Sequence, residues 1–278
     1  MRITRIVGAA LPLLAGLLFC TAPARAQDAE VMLPEQSAAK AKELLQKTIQ
    51  ALGGQAYLNV RDVSCTGRYG QFGHSGDLEG YEKFFDFTRL PDKDRTEHSK
   101  KRNIIEVYNG DKGWILDRGG VQDAPADAIK TFQDNVQKDM DYILRSRLSE
   151  PGMIFRYAGP DIVDLKESDW VELVDTEGRT IRIAIDRATH FPIRKVIVTR
   201  DPATRLRSEE IDYFSEYFPV NGVQTPLKYT HERNGQKIFQ VFFEECKINT
   251  GLSDSLFTKE SLDERYAQVG KKDKKKSK

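Results

Sequence analysis

From Val60 onward, apolar and polar residues alternate with a period of two, and turn residues interrupt the alternation at short intervals. Ile181, Ile183 and Ile185 alternate with Arg182 and Ala184. Phe239, Val241 and Phe243 alternate with Gln240 and Phe242. Side chains on a strand point to opposite faces in turn, so each such run predicts a strand with one buried face. The pattern predicts strands over 60–69, 79–88, 95–99 and 103–108, and another around Trp114 and Leu116. It resumes over 153–157, 170–175, 180–186, 193–200, 209–218, 227–231 and 237–248. The turn signals between them include Asn109-Gly110, Glu177-Gly178, Asn221-Gly222 and Asn234-Gly235. Two segments keep a helical period instead. Ala38, Ala41, Leu45, Ile49 and Leu52 predict a helix over 35–52, stopped by Gly53-Gly54. Ala128, Phe132, Val136, Met140, Ile143 and Leu144 mark one face of an inserted helix over 125–149, stopped by Pro151-Gly152. The fold class that follows is mainly β (α+β). One strongly bent antiparallel sheet is covered by an N-terminal helix and one inserted helix.

The N-terminus departs from both patterns. Arg2 and Arg5 precede an apolar stretch from Ile6 to Phe19, and Ala24-Arg25-Ala26 offers a small-x-small cleavage site. These are the three parts of a secretory signal. The apolar stretch is shorter than the roughly 20 residues that span a bilayer. Residues 1–26 are therefore read as a signal peptide removed after Ala26, with the mature chain in the periplasm. Acylation at Cys20 is the lesser alternative, because the bulky Phe19 precedes it.

Charge narrows the choice of partner. The chain is formally +1. Removing Arg2, Arg5 and Arg25 leaves −2, and the tail 271–278 carries six Lys and one Asp, so 27–270 is −7. An acidic body argues against nucleic acid. The Lys-rich end is read as a polar, disordered tail over 263–278, with contact to a membrane surface as its candidate role. Cys65 and Cys246 lie in the first and nearly the last predicted strands. They are either bridged or two buried free thiols.

Local chemistry is sparse. His74, His98, His190 and His231 have no metal-ligand spacing, and there is no nucleophile elbow, P-loop or dinucleotide fingerprint. No catalytic residue, metal or cofactor is expected. A hydrolase assembled from distant carboxylates would need a cleft holding a strongly perturbed carboxyl pair. The aromatic residues carry the stronger signal. Alternation places Tyr81, Phe85, Phe87, Trp114, Tyr213, Tyr229, Phe239 and Phe243 as candidates for the wall of a hydrophobic cavity on the concave side.

The order of features also resembles a known family. A helix ending Ala51-Leu52-Gly53-Gly54 precedes a strand with Thr66-Gly67. A Pro91-x-Lys93-x-Arg95 turn, Asn109-Gly110-x-x-Gly113-Trp114, a helix, a second meander and Leu252-x-x-x-Leu256-Phe257 follow. This run is similar to the lipoprotein-carrier superfamily, the outer-membrane lipoprotein-sorting proteins of the LolA/LolB type. The resemblance covers nearly all of 27–262, taken as a single domain. It implies a half-open β-barrel with helices as a lid, a hydrophobic cavity for lipid or lipoprotein acyl chains, and no catalysis. Members with this fold also include envelope stress sensors. The alternative function is thus an envelope structural or regulatory protein that binds a protein partner through the sheet.

Overall fold

The computed structural model describes residues 32–201 and 203–276. The expected signal peptide, its cleavage site and Cys20 fall outside these residues.

Helix α1 (Pro34–Leu52) begins with Pro at its first turn, where the missing N–H costs nothing. Its apolar stripe Ala41, Leu44, Leu45, Ile49 and Leu52 is buried. The helix stops at Gly53, whose φ is +131°. A Cβ there would lie 2.4 Å from the Gly222 carbonyl oxygen, so only glycine lets the helix end approach that turn. A single turn, α2 (Gln55–Leu58), brings Tyr57 into the core at 1% exposure.

Thirteen strands follow among the described residues. The first six are β1 (Asp62–Phe72), β2 (Leu78–Arg89), β3 (Lys93–His98), β4 (Ile104–Asn109), β5 (Lys112–Asp117) and β6 (Gly120–Asp123). The others are β7 (Ile154–Val163), β8 (Lys166–Val174), β9 (Thr180–Asp186), β10 (Pro192–Arg200), β11 (Arg207–Val220), β12 (Val223–Arg233) and β13 (Gln236–Ile248). They form one antiparallel sheet in the order β6-β5-β4-β3-β2-β1-β13-β12-β11-β10-β9-β8-β7. The chain thus makes two meanders that meet where β1 pairs β13. The sheet does not close, since β6 and β7 remain its edges, and the result is a half-open barrel. At the seam Cys65 and Cys246 are direct cross-strand partners, with Cα atoms 4.2 Å apart, and they form a disulfide. One residue further, a bulge at Thr66/Gly67 re-aims β1.

The inserted segment is two helices rather than one. Helix α3 (Ala126–Lys138) and helix α4 (Met140–Arg145) are separated at Asp139, which is extended. The Asp139 carboxylate accepts the Tyr142 N–H at 2.9 Å and so starts α4 anew. Arg147, in the 3₁₀ turn Arg147–Ser149, donates to the Gln137 carbonyl at 2.7 Å and to Asp175 at 3.1 Å. It therefore ties the end of α3 to the β8–β9 turn.

Helices α1 and α4 pack on the concave face of the second meander, against Val171, Leu173, Ile181, Ile183, Ile185, Ile197 and Phe214. The convex face of the first meander is covered by the C-terminus. A 3₁₀ turn (Asp254–Phe257) and helix α5 (Lys259–Lys276) lay Phe257 and Leu262, both fully buried, on Ile105, Val107 and Leu116. Under this strap, Arg95 donates to the Leu256 carbonyl at 3.0 Å, to Ser261 Oγ at 2.8 Å and to Glu97 at 2.7 Å. The expected disordered tail from 263 thus continues as helix to Lys276, because the strap seats the first turn of α5 on the sheet.

Candidate functional site

The first meander's concave side is not filled by α1, which packs on β7, β8 and β12. A cavity of about 920 Å³ remains between the sheet, α3 and α4. This lies in the size range of small-molecule sites. Its two walls differ in character. One is apolar: Val63 and Tyr69 of β1, Phe214 and Tyr217 of β11, and Phe239, Val241 and Phe243 of β13, closed by Leu52, Tyr57 and Met140. The other carries carboxylates on the inward-facing positions of β2, β3 and β4: Glu82, Asp86, Asp94 and Glu106, with Thr88, Thr96 and His98 among them. Over the top lies α3, in which no residue is fully buried. Its Phe132 and Val136 face the cavity, and Phe132 stacks on Tyr108 with centroids 4.7 Å apart.

The acidic wall is electrostatically unusual. Burial pushes the Asp86 carboxyl up to about 6, against which the Thr96 and Thr88 hydroxyls act weakly. Burial and then the charge of Asp86 push Asp94 well above the ordinary range. Geometry agrees. Thr96 Oγ1 lies 3.4 Å from Asp86 and 3.2 Å from Asp94. A hydroxyl has one proton to donate, so the second contact is a hydrogen bond only if that carboxyl is protonated. Glu82 faces His98, with Nδ1 2.9 Å from the carboxylate.

The folded chain holds protons that an unfolded one releases. The stability from this pair is therefore complete below the ordinary aspartate pKa and is lost as pH rises through about 6. Stability measured by denaturant titration is expected to fall as pH rises from about 4 through about 6, and Asp86→Asn/Asp94→Asn to flatten that fall. An unchanged profile in the double variant would place the proton elsewhere.

A second polar node anchors the apolar wall. Asp212 takes Lys195 Nζ at 2.7 Å, the Tyr229 hydroxyl at 2.6 Å and His231 Nδ1 at 2.7 Å. Burial alone would raise this carboxyl. The Lys195 charge and the three hydrogen bonds outweigh burial and hold it well below its usual range. The Tyr229 hydroxyl is thus committed, and its ring is what the cavity meets.

Of the eight sequence candidates, Tyr229, Phe239 and Phe243 line the cavity. Tyr81, Phe85, Phe87, Trp114 and Tyr213 do not. Phe87 and Trp114 pack beneath the C-terminal strap on the convex face. Phe85 lies under the Arg102 guanidinium at 4.5 Å. Tyr81 is 44% exposed. Tyr213 donates to Glu232 at 3.0 Å beneath Arg194. The reason is register: on β2 the inward positions are 82, 84, 86 and 88, so the odd-numbered aromatic residues face outward. Phe84 is the aromatic residue of β2 that turns inward.

Among the described residues no cluster of three or more His, Cys, Asp or Glu side chains is arranged to hold a metal ion. No described helix is long and apolar enough to cross a membrane.

No family model and no curated protein matches the sequence. Solved structures do match the fold. A DUF1329 family protein from Desulfovibrio piger superposes with a TM-score of 0.57 at 13% identity, covering 80% of this chain and 98% of that one. A putative outer membrane lipoprotein-sorting protein domain from Vibrio parahaemolyticus gives 0.51 at 13%, covering 81% and 99%. A LolA superfamily protein from Nitrosomonas europaea gives 0.50 at 11%, covering 80% and 99%. The fold is LolA-like. In this LolA-like half-barrel, α1 and α4 fill one half of the trough, and α3 is the cover over the half that stays hollow.

Proposed function

We propose that the chain is a non-catalytic periplasmic carrier or binding protein for lipid or lipoprotein acyl chains, exported by a signal removed after Ala26. The observation that carries this is the cavity of about 920 Å³ beneath α3, one wall of which is built mainly from apolar side chains of β1, β11 and β13. Each buried methylene supplies roughly 0.8 kcal/mol, so a chain half in the trough is held without a covalent or metal anchor. The likeness to a lipoprotein-sorting domain and a LolA superfamily protein agrees with this role. Helix α3 is its lid: no residue of the helix is fully buried, and it can lift at the break at Asp139.

A fluorescent hexadecanoyl probe is expected to bind the delipidated protein. Val241→Trp, which fills the apolar wall, is expected to weaken that binding at least about tenfold with the melting temperature largely kept. Absence of binding to the wild type would contradict a carrier role. A stoichiometric envelope protein in pull-downs, with the cavity empty, would favour partner binding instead.

The Asp86/Asp94 pair, with the Thr96 hydroxyl between them, favours one second reading, a hydrolase working from two buried carboxyls with raised pKa. Turnover of glycoside or ester substrates that disappears in Asp94→Asn would support it. A carrier shows no turnover in either protein.

A further inference from the structure

Among the buried side chains, one guanidinium on the cavity wall stands without its full set of partners. Arg145, the last residue of α4, has a side chain only 8% exposed, yet its Nε and Nη1 atoms have no hydrogen-bond partner among the described residues. Among the described residues its ionic contact runs from Nη2 to Asp141 Oδ2 at 3.2 Å. The other oxygen of Asp141 is taken by the Tyr57 hydroxyl at 2.7 Å. The Tyr57 ring lies against the guanidinium, 4.2 Å from Cζ to centroid, and fixes its plane. An arginine has five N–H donors, and burying them unpaired is costly. A buried, stacked and under-partnered guanidinium beside an apolar trough is built for an acceptor that arrives with a ligand.

We propose that Arg145 is the headgroup anchor of the cavity, taking an anionic oxygen, carboxylate or phosphate, of a ligand whose acyl chain lies along the apolar wall. This rests on the carrier role proposed above and names the class of headgroup. The surroundings fit an anion at this end. Asp212 is neutralised by Lys195 at 2.7 Å, and Asp141 is already shared between Arg145 and Tyr57. Burial and then the charge of Asp141 raise the Asp139 carboxyl, which lessens its repulsion of an anion. The carboxylates of β2–β4 belong to the sheet wall of the cavity, and none of them is paired with Arg145. A ligand would thus enter with its anionic end at the α4 side.

Three probes of equal chain length test this on the mature protein: hexadecanoate, hexadecyl phosphate and hexadecanol. At least one anionic probe is expected to bind about ten- to a hundredfold tighter than hexadecanol, the range of a charge-assisted hydrogen bond. Arg145→Met is expected to bring that ratio to about one while leaving hexadecanol binding unchanged. Asp141→Asn removes the negative charge beside Arg145 and is expected to raise the ratio, which keeps the test decisive if Arg145→Met folds poorly. Which anion gains more identifies the source, fatty acid or phospholipid. Equal binding of all three to the wild type, or a ratio that neither substitution moves, overturns the anchor and leaves the carrier role standing. Binding of none of them overturns the carrier role, and the anchor with it.

Discussion

Replacing both seam cysteines, as in Cys65→Ser/Cys246→Ser, is expected to destabilise the fold by about 2–5 kcal/mol, read as a drop in melting temperature of roughly 5–15 °C. The bridge joins residues 181 apart, so it restricts nearly the whole unfolded domain. Loop-closure entropy grows slowly with length, and for a loop of this size the chain-entropy estimate is about 5 kcal/mol. The location adds to the effect. The two meanders meet only at the β1–β13 pairing, and the bulge at Thr66/Gly67 interrupts that pairing one residue from the bridge. Without the bridge, the seam is held by ladder hydrogen bonds and by side chains such as Phe84 against Phe243, with centroids 5.7 Å apart. Equilibrium denaturation under oxidising and reducing conditions is the check: reductant should lower the wild-type midpoint to that of the double variant and leave the variant unmoved. Equal midpoints for wild type and variant under oxidising conditions would mean the bridge is mechanically idle.

The second large effect is expected at the C-terminal strap. Phe257 is completely buried among Ile105, Val107 and Leu116, and truncating it leaves a cavity in a cluster of only five fully buried side chains. Phe257→Ala is expected to cost about 3–5 kcal/mol, or roughly 10 °C in melting temperature. More than packing is lost if the strap lifts. Arg95 and Glu97 are 5% and 3% exposed, and Arg95 relies on the Leu256 carbonyl and Ser261 for two of its donors. A buried charge stripped of partners is expensive, so stopping the chain before Leu252 should cost more than Phe257→Ala. Hydrogen exchange should then open β3–β6 while β7–β10 stay protected. Uniform loss of protection would show instead that the two meanders unfold as one unit.

The strands are legible in the sequence because alternation has a fixed period, and turn pairs such as Asn109-Gly110 and Asn234-Gly235 punctuate it. The face each strand turns inward is not legible in the same way. On β2, Phe84 lies beside Phe85, and both faces carry aromatic residues. The polar positions 82, 86 and 88 look like the wet outer face, yet they line the hollow. The rule that buried means apolar fails where a protein keeps a cavity rather than a core. The outer aromatic residues Phe87 and Trp114 are partly covered by a strap that follows them by more than 130 residues, which no local pattern reveals. The β7–β8 hairpin shows a different gap. It turns on Asp164 and Leu165, with φ of +51° and +64°, where Asn or Gly is the usual signal. Arg145 reads as one more basic residue near a helix end. Only its burial against Tyr57 and its vacant donors single it out.

We propose that the trough beneath α3 holds an acyl chain. Native mass spectrometry of the protein, purified without detergent from the cells that make it, is the check. A bound species that releases acyl-chain lipid on activation, and that is lost in Val241→Trp, is the result predicted. A protein that leaves the cell without lipid, and takes none up when offered it, would contradict the claim.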